Sequence, residues 1–369
     1  MERPIFKPVG TPVTHLDTPA LVVDLTLLEQ NIETLHAFFR HREAKVRPHV
    51  TAHRCPALAH KQLAAGGTVD GISVSTVGEA EVFAEYGFHD ITIANEVVTH
   101  QKIRRLCALA RRATLTVAVD QPENVRHLSE AAGAYGVSLQ VLVDIHTRLN
   151  RCGVEPGQPA VELARAVQAA PHLDFVGLMT YEGSILSDEP ERMAAETRQC
   201  IQQVLDTRQL LERAGLAVRV VSAGNTSNYE IAGAMPGVTE VPAGTYALLD
   251  ARYSPHRPQF TPAARVLTTV TSRPEPDTAI TDAGQKAVSS DLGLPVAADL
   301  AAATVTSLSA EHCRLRLEGA TTGQLHLGDA LWLTPQDIGT CVNLYDYIHA
   351  VREGHLEAVW RVAARGQYR

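Results

Sequence analysis

The sequence predicts an α/β protein: a (β/α)8 barrel of TIM type with a C-terminal, mostly antiparallel β domain. Three observations carry that expectation. From residue 21 to about 250, short apolar runs alternate with helical stretches, and Gly or Pro punctuates many of the joins. No G-x-G-x-x-G follows the first run, and eight or nine such units in some 230 residues favour a closed barrel over an open doubly wound sheet. After about residue 255 the helical periodicity fades into strand-like runs separated by turn residues.

The strand-like runs are LVVD at 21, ISVS at 72, ITIA at 91, LTVAV at 115, LQVLVD at 139, FVGLMTY at 175 and VRVVS at 218, with a further strand read over 46–51. Between them lie LLEQNIETLHAFF, EAEVFAEYG, NVRHLSEAAGAYG and AVELARAVQAA. In the first of these, Leu27, Leu28, Ile32, Leu35, Phe38 and Phe39 fall on one helical stripe. Successive β-α units imply a parallel sheet, because a crossover helix must bring the chain back. The runs RVLTTVTS, RLRLEG, DALWLT and HAVREG make up the smaller β domain.

Composition narrows the function. The chain has 369 residues, 33 basic against 41 acidic, and a net charge of −8. A nucleic acid or an anionic membrane surface would ask for a basic face, so neither is an expected partner. No apolar run reaches the length of a membrane span. The start, MERPIFKPVG, lacks an apolar signal core, which predicts a cytoplasmic protein. Six scattered cysteines without a C-x-x-C pair predict reduced thiols.

Barrel chemistry gathers at the C-terminal ends of the strands, and four polar clusters fall there. In VRPHVTAHRCP, His49 and His53 flank Thr51; on a strand, His49 and Thr51 would share a face. Taken alone, such histidines read equally as proton carriers or as satisfied core residues. In VSAGNTSNYE, Ser222, Gly224, Asn225, Thr226 and Ser227 could form an anion cup or an ordinary capped loop. In HTRLNRCG, Arg148 and Arg151 could hold an anion or a ring nitrogen, or be solvated, and His146 could join the proton carriers. In TYEG, Tyr181 could be a general acid or a packing aromatic.

Taken together, these segments resemble the D-threonine aldolase and D-serine dehydratase-like enzymes, whose barrel is alanine racemase-like. The resemblance runs through DTPALVVDL at 17, RPH at 47, TVGEAEVFAEYG at 76, IANEVV at 93, NRCGV at 150, YEG at 181, PGVTEVPAGTYALLD at 236, DAGQKA at 282, EH at 311 and VNLYD at 342. It implies pyridoxal phosphate of the fold type III kind and a homodimer with the active site near the subunit interface. It also places the first strand in the β domain, giving a barrel over 27–255 and a β domain over 1–26 plus 256–369.

The resemblance also exposes departures. The family segment Pro-His-x-Lys-Thr-His supplies the Schiff-base lysine, and the matching position here is Thr51. Lys45 would lie roughly 20 Å away along a strand, and Lys286 belongs to the family pattern itself. Arg148 stands where the family often has glycine, and Ser184 where it usually has histidine. The family's metal motif near the C-terminus reads PQDIGT, leaving Asp337, with His312, as weak metal candidates.

The expectation is a repurposed lyase-type enzyme acting on an amino acid or related small carboxylate without a Lys–cofactor imine. Pyridoxal phosphate is possible only non-covalently, and a metal is not expected. His49, Thr51, His53, His146, Arg148 and Tyr181 are the catalytic candidates; Arg151, Ser222, Gly224, Asn225, Thr226 and Ser227 are the cofactor-binding ones. The alternative is an inactive pseudoenzyme that binds the cofactor or another ligand.

Overall fold

A computed structural model describes residues 7–300 and 302–369. Residues 1–6, which begin both the segment read for a signal core and the expected β domain, and residue 301 lie outside the described residues. In chain order the elements are β1 (Ala20–Asp24), α1 (Leu25–Arg40), β2 (Lys45–Val46), α2 (Pro56–Ala64), β3 (Ile72–Val74), α3 (Val77–Glu85), β4 (Asp90–Glu96) and α4 (His100–Leu109). Next come β5 (Thr114–Val119), α5 (Pro122–Tyr135), β6 (Leu139–Asp144), α6 (Gln158–Ala169), β7 (Leu173–Met179), α7 (Pro190–Arg213), β8 (Val220–Ser222), α8 (Tyr229–Ala232) and β9 (Glu240–Val241). The rest are β10 (Ala264–Glu275), β11 (Thr278–Thr281), β12 (Val296–Ala297), β13 (Ala303–Leu308), β14 (Cys313–Leu317), β15 (Ala330–Thr334), α9 (Ile338–Val342), β16 (Tyr347–Arg352) and β17 (His355–Arg361).

The chain divides into two compact units. One, residues 35–51, 59–244 and 366–369, holds an eight-stranded sheet in the order β2-β9-β8-β7-β6-β5-β4-β3. Every pairing in it is parallel. Parallel bridges from Val46 to Thr68 and from His49 to Ser73 close the ring. The strands are apolar runs rather than alternating ones because helices cover their outer face: Leu115, Val117, Ala118 and Val119 are all buried. Ala118, Leu142, Val176 and Met179 pack together with Ala94 and Val220, so that every strand from β4 to β8 contributes and β7 contributes twice, and fill a layer of the barrel interior.

The other unit, residues 1–34, 52–58 and 245–365, holds a nine-stranded sheet ordered β13-β14-β11-β10-β1-β16-β17, with β15 on β10 and β12 on β15. It is antiparallel apart from β1 on β16. Thus β1 (LVVD) pairs with β10 and β16 and lies outside the ring. Alternation is visible in β14, whose residues read buried, exposed, buried, exposed, buried.

Two local readings need correction. The strand expected over 46–51 ends at Val46, and Val50–Ala52 is a 3-10 turn. Alternation therefore does not govern His49 and Thr51. The barrel strand β9 is two residues long, too short to give a periodic signal, and the apolar-run reading passed over it.

Where β2 closes the ring, Arg47 is buried and its guanidinium contacts Glu240 of β9 at 2.8 Å and Asp90 of β4 at 2.8 Å. Replacing Arg47 with Ala strands the buried Glu240 carboxylate, an effect of about 3–5 kcal/mol for such pairs. Urea unfolding of Arg47→Ala should show that loss, and Arg47→Ala with Glu240→Gln should recover part of it.

Candidate active site

The chemistry-bearing residues of the barrel unit sit just past its strand ends. After β2 the chain turns through Val50–Ala52, and the Thr51 hydroxyl donates to Glu79 Oε2 at 2.7 Å while accepting the Ser75 N–H at 3.0 Å. The same Ser75 N–H reaches Glu79 Oε2 at 2.9 Å, and Asn95 Nδ2 holds the Ser75 carbonyl at 2.8 Å. Glu79 is buried in the first turn of α3, which Thr76 caps by accepting its N–H. Thr51 is thus fixed in a closed set of hydrogen bonds. His49 lies beside it in chain, its N–H donating to the Ala243 carbonyl at 2.9 Å. His53 is fully buried, its Nδ1 accepts the Cys55 N–H at 3.1 Å, and it belongs to the other unit. Thr51 is therefore a hydroxyl clamp, His49 a ring-closing residue and His53 a turn residue.

Glu96 and Asp144 are the last residues of β4 and β6, and Asp120 follows β5 directly. Asp144 lies two residues past Leu142 and shares its face. Burial, then the facing Glu96 carboxyl, pushes Asp144 up to about 7; Arg151 pulls in the opposite direction. Burial, with Glu96 second, also raises the Cys152 thiol. The loop is tied back by Gly153 N–H on Asp120 Oδ2 at 3.2 Å and by a bridge from Ile145 to Val154. Arg151 lies 5.2 Å over the Tyr181 ring. Asp144, His146, Arg151, Cys152 and Tyr181 help line a cavity of about 10 Å3, room for about one water.

The other candidates are more dispersed. His146 points Nδ1 at the exposed Glu155 at 3.1 Å, and its Nε2 is buried with no partner among the described residues. Arg148 donates to the Glu182 carbonyl at 3.2 Å and lies 3.5 Å from Glu196. The Tyr181 hydroxyl is 3.4 Å from Ser184 Oγ. Asp337 caps α9 by accepting the Thr340 N–H at 2.9 Å, while His312 sits in an exposed turn with Ser309. Among the described residues no group of three or more His, Cys, Asp or Glu is placed to hold a metal.

At the end of β8, Ser222 accepts the Thr180 N–H through its carbonyl. At Gly224, φ is +87° and a Cβ would meet the Ala232 Cβ at 2.4 Å, so only glycine fits. The following loop is closed on itself. Asn225 N–H donates to Asn228 Oδ1 at 2.8 Å, and Ser227 N–H to Asn225 Oδ1 at 2.9 Å. Both asparagine Nδ2 groups donate to Glu182 Oε1, at 3.1 Å and 2.5 Å. Glu182 is fully buried, and burial raises its carboxyl despite the Asn228 hydrogen bond. Thr226 is buried in the same loop.

Residues 23–250 match the family described as alanine racemase, N-terminal domain, and residues 263–351 match the putative serine dehydratase domain. A D-threonine aldolase of an Arthrobacter species is 35% identical over 97% of this chain and 95% of its own length. The chain belongs to the D-threonine aldolase family. A 3-hydroxy-D-aspartate aldolase of Paracoccus denitrificans is 34% identical, over 97% of this chain and 94% of its own. The crystal structure of a D-threonine aldolase from Filomicrobium marinum superposes with a TM-score of 0.95 at 35% identity, covering 98% of this chain and 100% of that one.

As a D-threonine aldolase relative, the chain carries an expectation of pyridoxal phosphate, the cofactor of fold type III enzymes. The donor set does not fit that group. Residue 51 is a hydroxyl bound to Glu79, which forms no imine. Lys45 Nζ is spent on the carbonyls of Phe39, Arg40 and Arg42, and Lys286 is paired with Glu311. The loop N–H groups at 225 and 227 are bonded to asparagine side chains.

Reading the sequence by motif missed Glu79, Glu96, Asp144, Glu182 and Asn228. Each lies in a quoted segment, and Glu96 and Asp144 each close an apolar run. An acid at the end of a buried parallel strand is the signal that could have found those two.

The Asp144 shift has a consequence for stability. The folded chain holds this proton up to about pH 7, whereas an unfolded aspartate releases it near pH ~4. The protonated form favours folding, so this contribution is present at low pH and is lost as pH rises toward 7, by at most about 1.4 kcal/mol per unit. Thermal unfolding between pH 5 and 8 should show Tm falling with pH in the wild type and a flatter profile in Asp144→Asn.

Proposed function

We propose that this chain is a lyase-type enzyme that acts on a small hydroxy-carboxylate, an amino acid or its relative, without an imine at residue 51. The observation that carries this reading is the Asp144–Glu96 carboxyl pair at the strand ends, next to Arg151 and Tyr181. In this reading Thr51 replaces the family lysine, and its hydroxyl is a positioning group for Glu79 and Ser75. The working unit is a homodimer with its site near the subunit interface.

The chemistry follows from charge. The relatives carry the names of D-threonine aldolase, 3-hydroxy-D-aspartate aldolase and D-threo-3-hydroxyaspartate dehydratase, and all three names specify a β-hydroxy amino acid. Cleaving such a molecule takes the proton from the hydroxyl, breaks the Cα–Cβ bond and leaves its electron pair on Cα until a proton returns there. Asp144, its carboxyl raised to about 7 beside Glu96, can accept the first proton and return one afterwards. Arg151 holds the substrate carboxylate and meets the charge that develops on it. Tyr181, under Arg151, supplies a hydroxyl donor on the same side.

Without an imine the electron pair needs another sink. A hydroxy acid with its own carbonyl beside the bond to be broken carries one, so 4-hydroxy-2-oxo acids suit this site better than D-threonine does. The reaction would then yield a 2-oxo acid and an aldehyde. A second reading, a binding protein without turnover, is supported by the loop at 224–228 being closed by its own side chains.

Purified protein should be incubated with D-threonine, D-threo-3-hydroxyaspartate and a 4-hydroxy-2-oxo acid, without added cofactor, and products followed by NMR. The expected result is cleavage of the oxo acid, reduced at least 100-fold in Asp144→Asn at pH 7. Saturable binding of these compounds with no product from any of them would select the binding protein instead. Borohydride should fix no cofactor to residue 51 in the wild type.

A further inference from the structure

The loop from Ser222 to Asn228 carries more information than the lost tether does, and it does so independently of residue 51. A loop that cradles phosphate presents successive backbone N–H groups to an anion. Here three of those groups, at 225, 227 and 228, have partners inside the loop. Asn225 N–H is on Asn228 Oδ1, Ser227 N–H and Ser227 Oγ are both on Asn225 Oδ1, and Asn228 N–H is on the Asn225 carbonyl at 3.2 Å. The two amide oxygens stand where anionic oxygens would be received.

What keeps them there is Glu182. Its Oε1 accepts Nδ2 from Asn225 and from Asn228, and Asn225 Nδ2 also reaches the Gly183 carbonyl at 3.2 Å. An amide has one donor end and one acceptor end. Fixing the donor end on Glu182 turns the acceptor end toward the loop. All of Asn225, Ser227, Asn228 and Glu182 are buried, so admitting a phosphate would strip several buried groups of partners at once.

We infer that the 222–228 loop is a self-filled lock, with Asn225 and Asn228 as built-in substitutes for a phosphate and Glu182 as their positioning residue. The loop takes neither pyridoxal phosphate, tethered or free, nor another phosphate monoester. The inference extends the proposed function by removing the phosphate anchor of an untethered cofactor, but it does not depend on which substrate is cleaved.

The test uses the full chain and two probes that form no imine, inorganic phosphate and pyridoxamine 5′-phosphate, titrated by calorimetry. The wild type should show no saturable binding of either in the millimolar range. Asn225→Gly combined with Asn228→Thr, which removes both plugs, should bind both probes at least tenfold tighter. Glu182→Ala should loosen the lock, read as faster hydrogen exchange at the Asn225 and Ser227 amides, while Glu182→Gln keeps an acceptor oxygen in place and should restore most of the protection. Micromolar binding of either probe by the wild type, with new protection of those two amides, overturns the inference. So does a double variant with unchanged circular dichroism that gains no affinity. If the double variant does not fold, wild-type exchange decides: rates unmoved by 10 mM phosphate support the lock, and slowed rates refute it. Either outcome leaves the cleavage assay unaffected, so failure here and failure of the proposed reaction are separable.

Discussion

Closing a ring of parallel strands requires the first strand to find the last, and here the closing strand is short. β2 contributes two residues to the ladder, and the closure beyond it rests on single bridges at Val46 and His49. The buried Arg47, held between Glu240 and Asp90, ties β2 to strands on both sides of the seam. Charge-assisted hydrogen bonds of this kind are directional, so they fix register where a two-residue strand cannot. The turn that carries Thr51 begins three residues later, and its meeting with Glu79 depends on that seam.

The mouth of the barrel is unusually acidic for a site expected to receive anions. Glu79, Glu96, Asp120, Asp144 and Glu182 all lie on the strand ends or the segments that follow them. Each is handled differently. Glu79 is shared between a hydroxyl and a backbone N–H. Asp120 accepts a loop N–H. Asp144 and Glu96 face one another, and burial holds a proton there toward neutral pH. Glu182 is clamped by two side-chain amides. The cations nearest them, Arg148 and Arg151, are the more exposed partners. The result favours proton transfer at buried carboxyls with an arginine at the rim, and it disfavours a buried dianion.

Thr51, Arg148, Ser184 and Asn225 each fall at a strand end or in the loop beyond one, while the layer of Ala118, Leu142, Val176 and Met179 packs as a barrel interior should. Gly224 still needs to be glycine, because its backbone approaches Ala232.

The sequence by itself determined the architecture. Apolar runs alternating with amphipathic stretches specify a parallel barrel, and the later turn-rich strands specify an antiparallel sheet, because each pattern buries its apolar face in only one way. It also determined that residue 51 bears a hydroxyl, and no fold can give it an amine. The tertiary structure decided the rest. Whether His49 and Thr51 share a face depended on where β2 stops, and a 3-10 turn overrode the alternation. That His53 serves the Cys55 turn, that Asp144 meets Glu96, and that Asn225 and Asn228 plug their own loop under Glu182 are contacts between residues far apart in chain or folded back on it. Hydrogen-bond partners and buried carboxyl pairs arise from three-dimensional neighbours, and periodicity along a chain holds no record of them.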